Sequence, residues 1–245
     1  MLPYLVLGII QGLTEFLPIS SSGHLVLAQS LFGFSEVDPA FNVFVQGGTV
    51  LSVLLFFRLR LITLTRVYWR LLLLATIPAG LAGVFLSSYL DSLFTSLWGI
   101  TLGFALTTIV VYLSRFSCHQ SQALNSKSAL SIGLAQALAI LPGLSRSGST
   151  ITAGLLLGVP AATAFDFSFL LSIPTIAGAA VLSLRSFVWE PSLTLTYLLG
   201  FITATITGYI SLVLLAKIVQ RGKFVLFAPY TLFLTLLSLY LALTN

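Results

Sequence analysis

From Leu193 to Ala216 this chain runs without one charged side chain, and so do the stretches 40–57, 71–90, 96–114 and 224–243. A sixth apolar stretch, 163–184, carries only Asp166. Each is long enough, or nearly so, to cross a hydrocarbon core of about 30 Å as a helix. A soluble core has no use for so many of them. The whole chain is 58% hydrophobic and 7% charged, with a mean hydropathy of +1.08. Soluble domains carry about 25% charged residues. The expected fold class is therefore an all-α polytopic membrane protein, folded as one membrane domain over 1–245. The net charge of +5 then reflects membrane-loop topology and not a nucleic-acid partner. The start, MLPYLVLGIIQG, lacks a basic region and a small-residue cleavage site, so it reads as mature sequence. Cys118 is the only cysteine, which leaves no internal disulfide or cysteine metal cluster.

Two further apolar stretches, about 3–30 and 129–157, are broken by polar clusters. The first holds Pro18, Ser20, Ser21, Ser22 and Gly23; the second holds Pro142, Gly143, Ser145, Arg146, Ser147 and Gly148. Irregular backbone at membrane depth survives only where protein or water satisfies it. Both read as re-entrant helical hairpins with polar tips. They also resemble each other. A shift of 125 residues lays LGIIQGLTEFLPISSSGH on IGLAQALAILPGLSRSGS, matching Gly8 with Gly133, Gln11 with Gln136, and Ser22-Gly23 with Ser147-Gly148. Ala40-Phe41-Asn42 resembles Ala164-Phe165-Asp166 at a shift of 124. The pattern reads as a duplication, with one repeat over about 1–117 and the second over about 126–245. Each repeat is a hairpin plus three spans.

Three spans per repeat make the copies inverted. With the N-terminus outside, the inner loops hold Arg58, Arg60, Arg66, Arg70, Arg115, Lys127, Lys217, Arg221 and Lys223, nine of the eleven Lys and Arg. The outer loops hold Glu36, Asp38, Asp91 and Glu190, with Arg185 the only base. The positive-inside rule selects this orientation, with both termini outside. One hairpin then enters from each face, and the tips can meet near the midplane.

Outside the loops, Glu15, Arg146 and Asp166 remain as charges, joined by His24; His119 falls in a loop. Ionisable groups inside a membrane are expensive and point to function. Asp166 reads instead as an N-terminal cap of the fourth span, where a carboxylate suits the helix dipole. A Glu15–Arg146 pair could simply hold the hairpins together, though a buried pair is weak evidence of stability. Some of Ser20, Ser21, Ser22, Ser145, Ser147, Ser149 and Thr150 serve packing or back-bonding. Taken together, the loop SRSGST makes an anion cradle. Arginine forks onto phosphate oxygens, and loop N–H groups with a helix N-terminus add donors. A hydroxyl nucleophile needs a base, and His24 or Glu15 can supply one. The reading is phosphate chemistry on an amphiphile, with Ser21 or His24 as nucleophile. A lipid-phosphate transporter is the rival, since inverted repeats and midplane polar sites serve transport too.

At these residues the sequence resembles the undecaprenyl pyrophosphate phosphatase, or bacitracin resistance protein, family. The likeness rests on Gln11, Glu15, Phe16-Leu17-Pro18, Ser20-Ser21-Ser22 and Gly23-His24. It rests equally on Pro142-Gly143-Leu144-Ser145-Arg146-Ser147-Gly148-Ser149-Thr150. Weaker likeness covers nearly the whole chain. The resemblance implies hydrolysis of undecaprenyl diphosphate at the outer face of the bacterial plasma membrane, by a homodimer using Mg²⁺ or Ca²⁺. It implies Glu15, Ser21, His24 and Arg146 as the essential residues. Ser20, Ser22, Ser145, Ser147, Gly148 and Thr150 would bind phosphate, and Glu15 and Gln11 would meet the metal. Three positions depart from the family pattern: Gln11 where a second carboxylate could stand, Asp166 where Glu is expected, and Thr231 where a base is expected.

Overall fold

The computed structural model describes residues 1–32, 39–94, 96–117, 122–183 and 191–244, with backbone alone for 39, 86–94 and 180–183. The described residues form α-helices and short 3-10 turns, with no strand. Cys118, His119, Glu36, Asp38, Arg185 and Glu190 lie outside them, and the side chain of Asp91 does too.

Two pairs of short helices flank the polar clusters. Helices α1 (Leu2–Phe16) and α2 (Ser21–Phe32) are joined by a tight turn. Helices α7 (Ser126–Leu138) and α8 (Arg146–Leu156) form the second pair. At 1.5 Å per residue the longest of the four, α1 with 15 residues, reaches about 22 Å and cannot cross the bilayer. The turns carry the expected strain markers: Gly143 at φ 80° and, less commonly for a side-chain-bearing residue, Ser20 at φ 65°.

Five helices are long and apolar enough to cross a membrane among the described residues. They are α5 (Arg66–Phe94), α6 (Leu97–Leu113), α9 (Ala161–Ser183), α10 (Thr194–Gln220) and α11 (Ala228–Thr244). The segment expected as a sixth span is α3 (Pro39–Phe56), whose 18 residues reach about 27 Å. A five-residue helix, α4 (Arg58–Ile62), follows it. Helix α5 also starts earlier than the apolar stretch implies, so Arg66 and Arg70 sit on its first turns and not in a loop. Long basic side chains permit this by reaching back to the interface.

Asp166 corrects an expectation. Helix α9 begins at Ala161, so Asp166 lies beyond its first turn and caps nothing. Its carboxylate meets Arg60 of α4 at 3.7 Å, with side chains 29% and 53% exposed. The pair ties α4 to α9.

The helices pack in a reciprocal pattern. Helix α10 lies against α1 and α3, and α5 lies against α7 and α9, while α6 pairs with α11. A Cβ on Gly8 would press on the Gly200 carbonyl at 2.9 Å, and one on Gly133 would collide with the Ala75 backbone. Gly8 and Gly133 stand 125 residues apart, as do Ala75 and Gly200. Such backbone-to-backbone approach is how membrane helices associate where the lipid is as apolar as the side chains. Gly133→Leu is expected to cost about 3 kcal/mol by overpacking. Thermal unfolding of the purified variant in detergent checks this, and a wild-type melting profile would contradict the α5–α7 contact.

Candidate active site at the hairpin tips

Each tip ends one short helix and starts another, so the N-termini of α2 and α8 lie at the same junction. Their first-turn N–H groups have no partner inside their own helices. Glu15 occupies the last turn of α1. Its Oε2 accepts hydrogen bonds from Ser21 Oγ at 2.6 Å and from Gln11 Nε2 at 3.0 Å. Its Oε1 accepts from Arg146 Nη2, so one ion pair joins the two hairpins. Both partners are largely buried, with side chains 12% and 18% exposed. Arg146 Nη1 is also buried and has no partner among the described residues. Buried donors left unpaired are uncommon enough to call for an explanation.

The serines divide into two groups. Ser145 and Ser147 are buried and face each other, Oγ to Oγ at 3.2 Å. Ser145 caps α8 by accepting from Gly148 N–H, and Ser147 donates to the Leu17 carbonyl across the junction. Ser20 Oγ lies 3.2 Å from Ser22 Oγ, and Ser22 accepts from Gly143 N–H of the opposite turn. Thr150 is fully buried and bonds back to the Arg146 carbonyl and to Ser168. It sets the shape of the α8 N-terminus, and its hydroxyl does not reach the tip. Ser21 alone among the hydroxyls is bonded to a carboxylate.

His24 is held apart from Glu15. Its Nδ1 lies 2.7 Å from the Ser20 carbonyl, and its Nε2 lies 2.9 Å from the Tyr230 hydroxyl. A carbonyl only accepts, so Nδ1 carries the proton and Nε2 accepts from Tyr230. The His24 ring stacks on Tyr230 at 15° and meets the edge of Phe104. Of the two bases open to Ser21 from the sequence, Glu15 is the one that it bonds.

Two contributors went unread in the sequence. Thr107 on α6 clamps the second tip, donating to the Gly143 carbonyl and accepting from Ser145 N–H. Tyr230 arrives from a helix some 200 positions further along the chain, since its bond to His24 spans 206 residues. Single threonines and tyrosines in apolar helices carry no signal of their own. Thr231, where a base was expected, is fully buried and accepts from Thr108 across the α6–α11 contact. Tyr230→Phe keeps the ring and removes one hydrogen bond. It is expected to lower kcat about five- to tenfold with an intact fold; an unchanged kcat would remove Tyr230 from the site.

The fold and the junction define a multi-pass helical membrane protein with a polar, anion-seeking centre where two hairpins meet. Residues 4–237 match the family model described as bacitracin resistance protein BacA. Three similar proteins, each named undecaprenyl-diphosphatase, agree. That of Desulfosudis oleivorans is 41% identical over 96% of this chain and 96% of its own. That of Desulforapulum autotrophicum is 39% identical over 96% and 95%. Undecaprenyl-diphosphatase 3 of Bacillus anthracis is 38% identical over 97% and 96%. The chain belongs to the bacitracin resistance protein family.

Proposed function

We propose that the hairpin junction hydrolyses undecaprenyl diphosphate to undecaprenyl phosphate and inorganic phosphate. The observation that carries this reading is Arg146, with Nη2 on Glu15 and a buried, unpartnered Nη1 beside it. A phosphate oxygen supplies the missing acceptor. The N-termini of α2 and α8 add oriented N–H groups and positive dipole ends.

Ser21 Oγ attacks the terminal phosphorus as Glu15 Oε2, 2.6 Å away, takes its proton. The bond from that phosphorus to the bridging oxygen breaks, and undecaprenyl phosphate leaves. Arg146 balances charge on the transferring group. Water then attacks the phosphoserine phosphorus and the bond from Ser21 Oγ breaks, Glu15 returning its proton to Ser21 and His24 Nε2, once Tyr230 yields its place to the water, taking the water's proton as inorganic phosphate leaves. Ser145, Ser147, Gly148 and Thr150 shape the α8 N-terminus, and Ser20 and Ser22 brace the facing tip.

Among the described residues no three His, Cys, Asp or Glu side chains stand together. A single carboxylate fits a cation that arrives on the diphosphate, because Mg²⁺ is commonly held by one or two carboxylates plus substrate phosphates. Glu15 and the Gln11 carbonyl would hold it. The cation would neutralise charge on the phosphate oxygens.

The paired glycine contacts, offset by the same interval, support an inverted duplication with two re-entrant hairpins and α3 as a sixth, short span. The basic residues of α4, the start of α5 and the end of α10 support an inner-facing position for those ends. On this reading the active site faces the outer side of a bacterial plasma membrane, with both termini outside. The deciding experiment is phosphate release from undecaprenyl diphosphate by purified wild type, Arg146→Lys and His24→Ala, with and without chelator. Loss in both variants supports the site; undiminished release in either removes that residue, and insensitivity to chelator removes the cation.

A further inference from the structure

Beside Arg146 a cavity of about 430 Å³ is lined by α3, α5, α9 and the end of α7. Its size suits a ligand site. Three of its wall residues are glycines: Gly80, Gly83 and Gly178. A Cβ on Gly80 or Gly178 would meet nothing within 4 Å. Both of these residues are exposed, so the cavity opens to the surroundings between α5 and α9. Pro78 and Pro174 lie inside the same two helices.

Its polar groups are few. Thr76 and Thr175 spend their hydroxyl protons on the Leu72 and Leu171 carbonyls. Gln46, Gln136 and Arg146 remain. Gln136 is 3% exposed and its Nε2 is buried without a partner, the same condition as Arg146 Nη1. Gln136, whose amide oxygen also accepts from Thr175, and Arg146 line this largely apolar, open-sided space and each keeps an unpaired donor just beneath its wall, which suits a ligand with an anionic head and a hydrocarbon body. By contrast Gly48, on α3, closes directly onto the Phe201 carbonyl of α10.

Building on the proposed site, we infer that this cavity holds the isoprene units nearest the diphosphate, and that Gln136 donates to the phosphate that stays with the lipid. Arg146 then serves the transferred phosphate and Gln136 the leaving one. The glycine wall admits the branched chain, which runs out between α5 and α9 into the bilayer.

The test compares two products as inhibitors of the full-length enzyme in detergent: undecaprenyl phosphate and inorganic phosphate. Gly178→Leu fills the cavity and favours the helix. It is expected to weaken inhibition by undecaprenyl phosphate roughly tenfold or more, the scale of a misfit methylene in a pocket. Gln136→Leu is expected to weaken it about tenfold, the upper range for one lost hydrogen bond. Inhibition by inorganic phosphate is expected to stay within about twofold in both, well below one hydrogen bond's worth. Unchanged inhibition by the lipid product in either variant overturns the inference, as does an equal loss for both products. Arg146→Lys separates the two readings. If it weakens inhibition by neither product, the proposed site itself fails.

Discussion

Arg146→Lys is expected to fold and to lose about 10²- to 10³-fold in kcat, the usual loss on removing one transition-state donor from a preorganised site. The charge survives in this variant, so Glu15 keeps a cationic neighbour. What disappears is the fork: Nη2 on Glu15 with Nη1 left for substrate. An ammonium cannot hold both positions at fixed geometry. Arg146→Ala is the less informative change. Removing one member of a largely buried pair destabilises by about 3–5 kcal/mol, and lost activity would then mix with lost fold. Near-normal turnover by the lysine variant, measured as phosphate release, would refute the bidentate role.

Ser21→Ala is expected to abolish turnover to within the assay floor, and Ser20→Ala to leave most of it. The two hydroxyls are neighbours in sequence and differ in what they touch. Ser21 donates to a carboxylate, the one hydroxyl at the junction placed for activation. Ser20 faces Ser22 and accepts from Gly23 N–H at the start of α2. Its loss resembles loss of a helix cap, about 1 kcal/mol of stability. Rapid-quench trapping of phosphate on Ser21 in wild type adds an independent readout. A Ser20→Ala variant more damaged than Ser21→Ala would move the nucleophile by one residue.

Much of this site was legible along the chain because membranes penalise polarity. In a chain 7% charged, a glutamate, an arginine and a histidine between apolar runs stand out without any structure. The breaks at Pro18 and at Pro142-Gly143 marked the tips for the same reason. Asp166 shows what the chain alone withholds: its partner is Arg60 of α4, at 3.7 Å, and not the start of its own helix. The sixth expected span, 40–57, is α3 (Pro39–Phe56), shifted by one residue with its 18-residue length intact.

By itself the sequence determined the helical, membrane-spanning class and marked two polar clusters with Glu15, His24 and Arg146 as candidates, Ser21 joining them through the family resemblance. It could do so because hydrophobic length and the cost of buried charge are local properties of a chain. Only the tertiary structure decided the partners. It put Ser21 on Glu15 and not on His24, brought Tyr230 to His24, set Thr107 against the second tip, and opened a cavity beside Arg146. Those outcomes depend on which helix faces approach within hydrogen-bonding distance. That is settled by packing between segments far apart in the chain, at positions where a serine, threonine, glycine or tyrosine looks like any other.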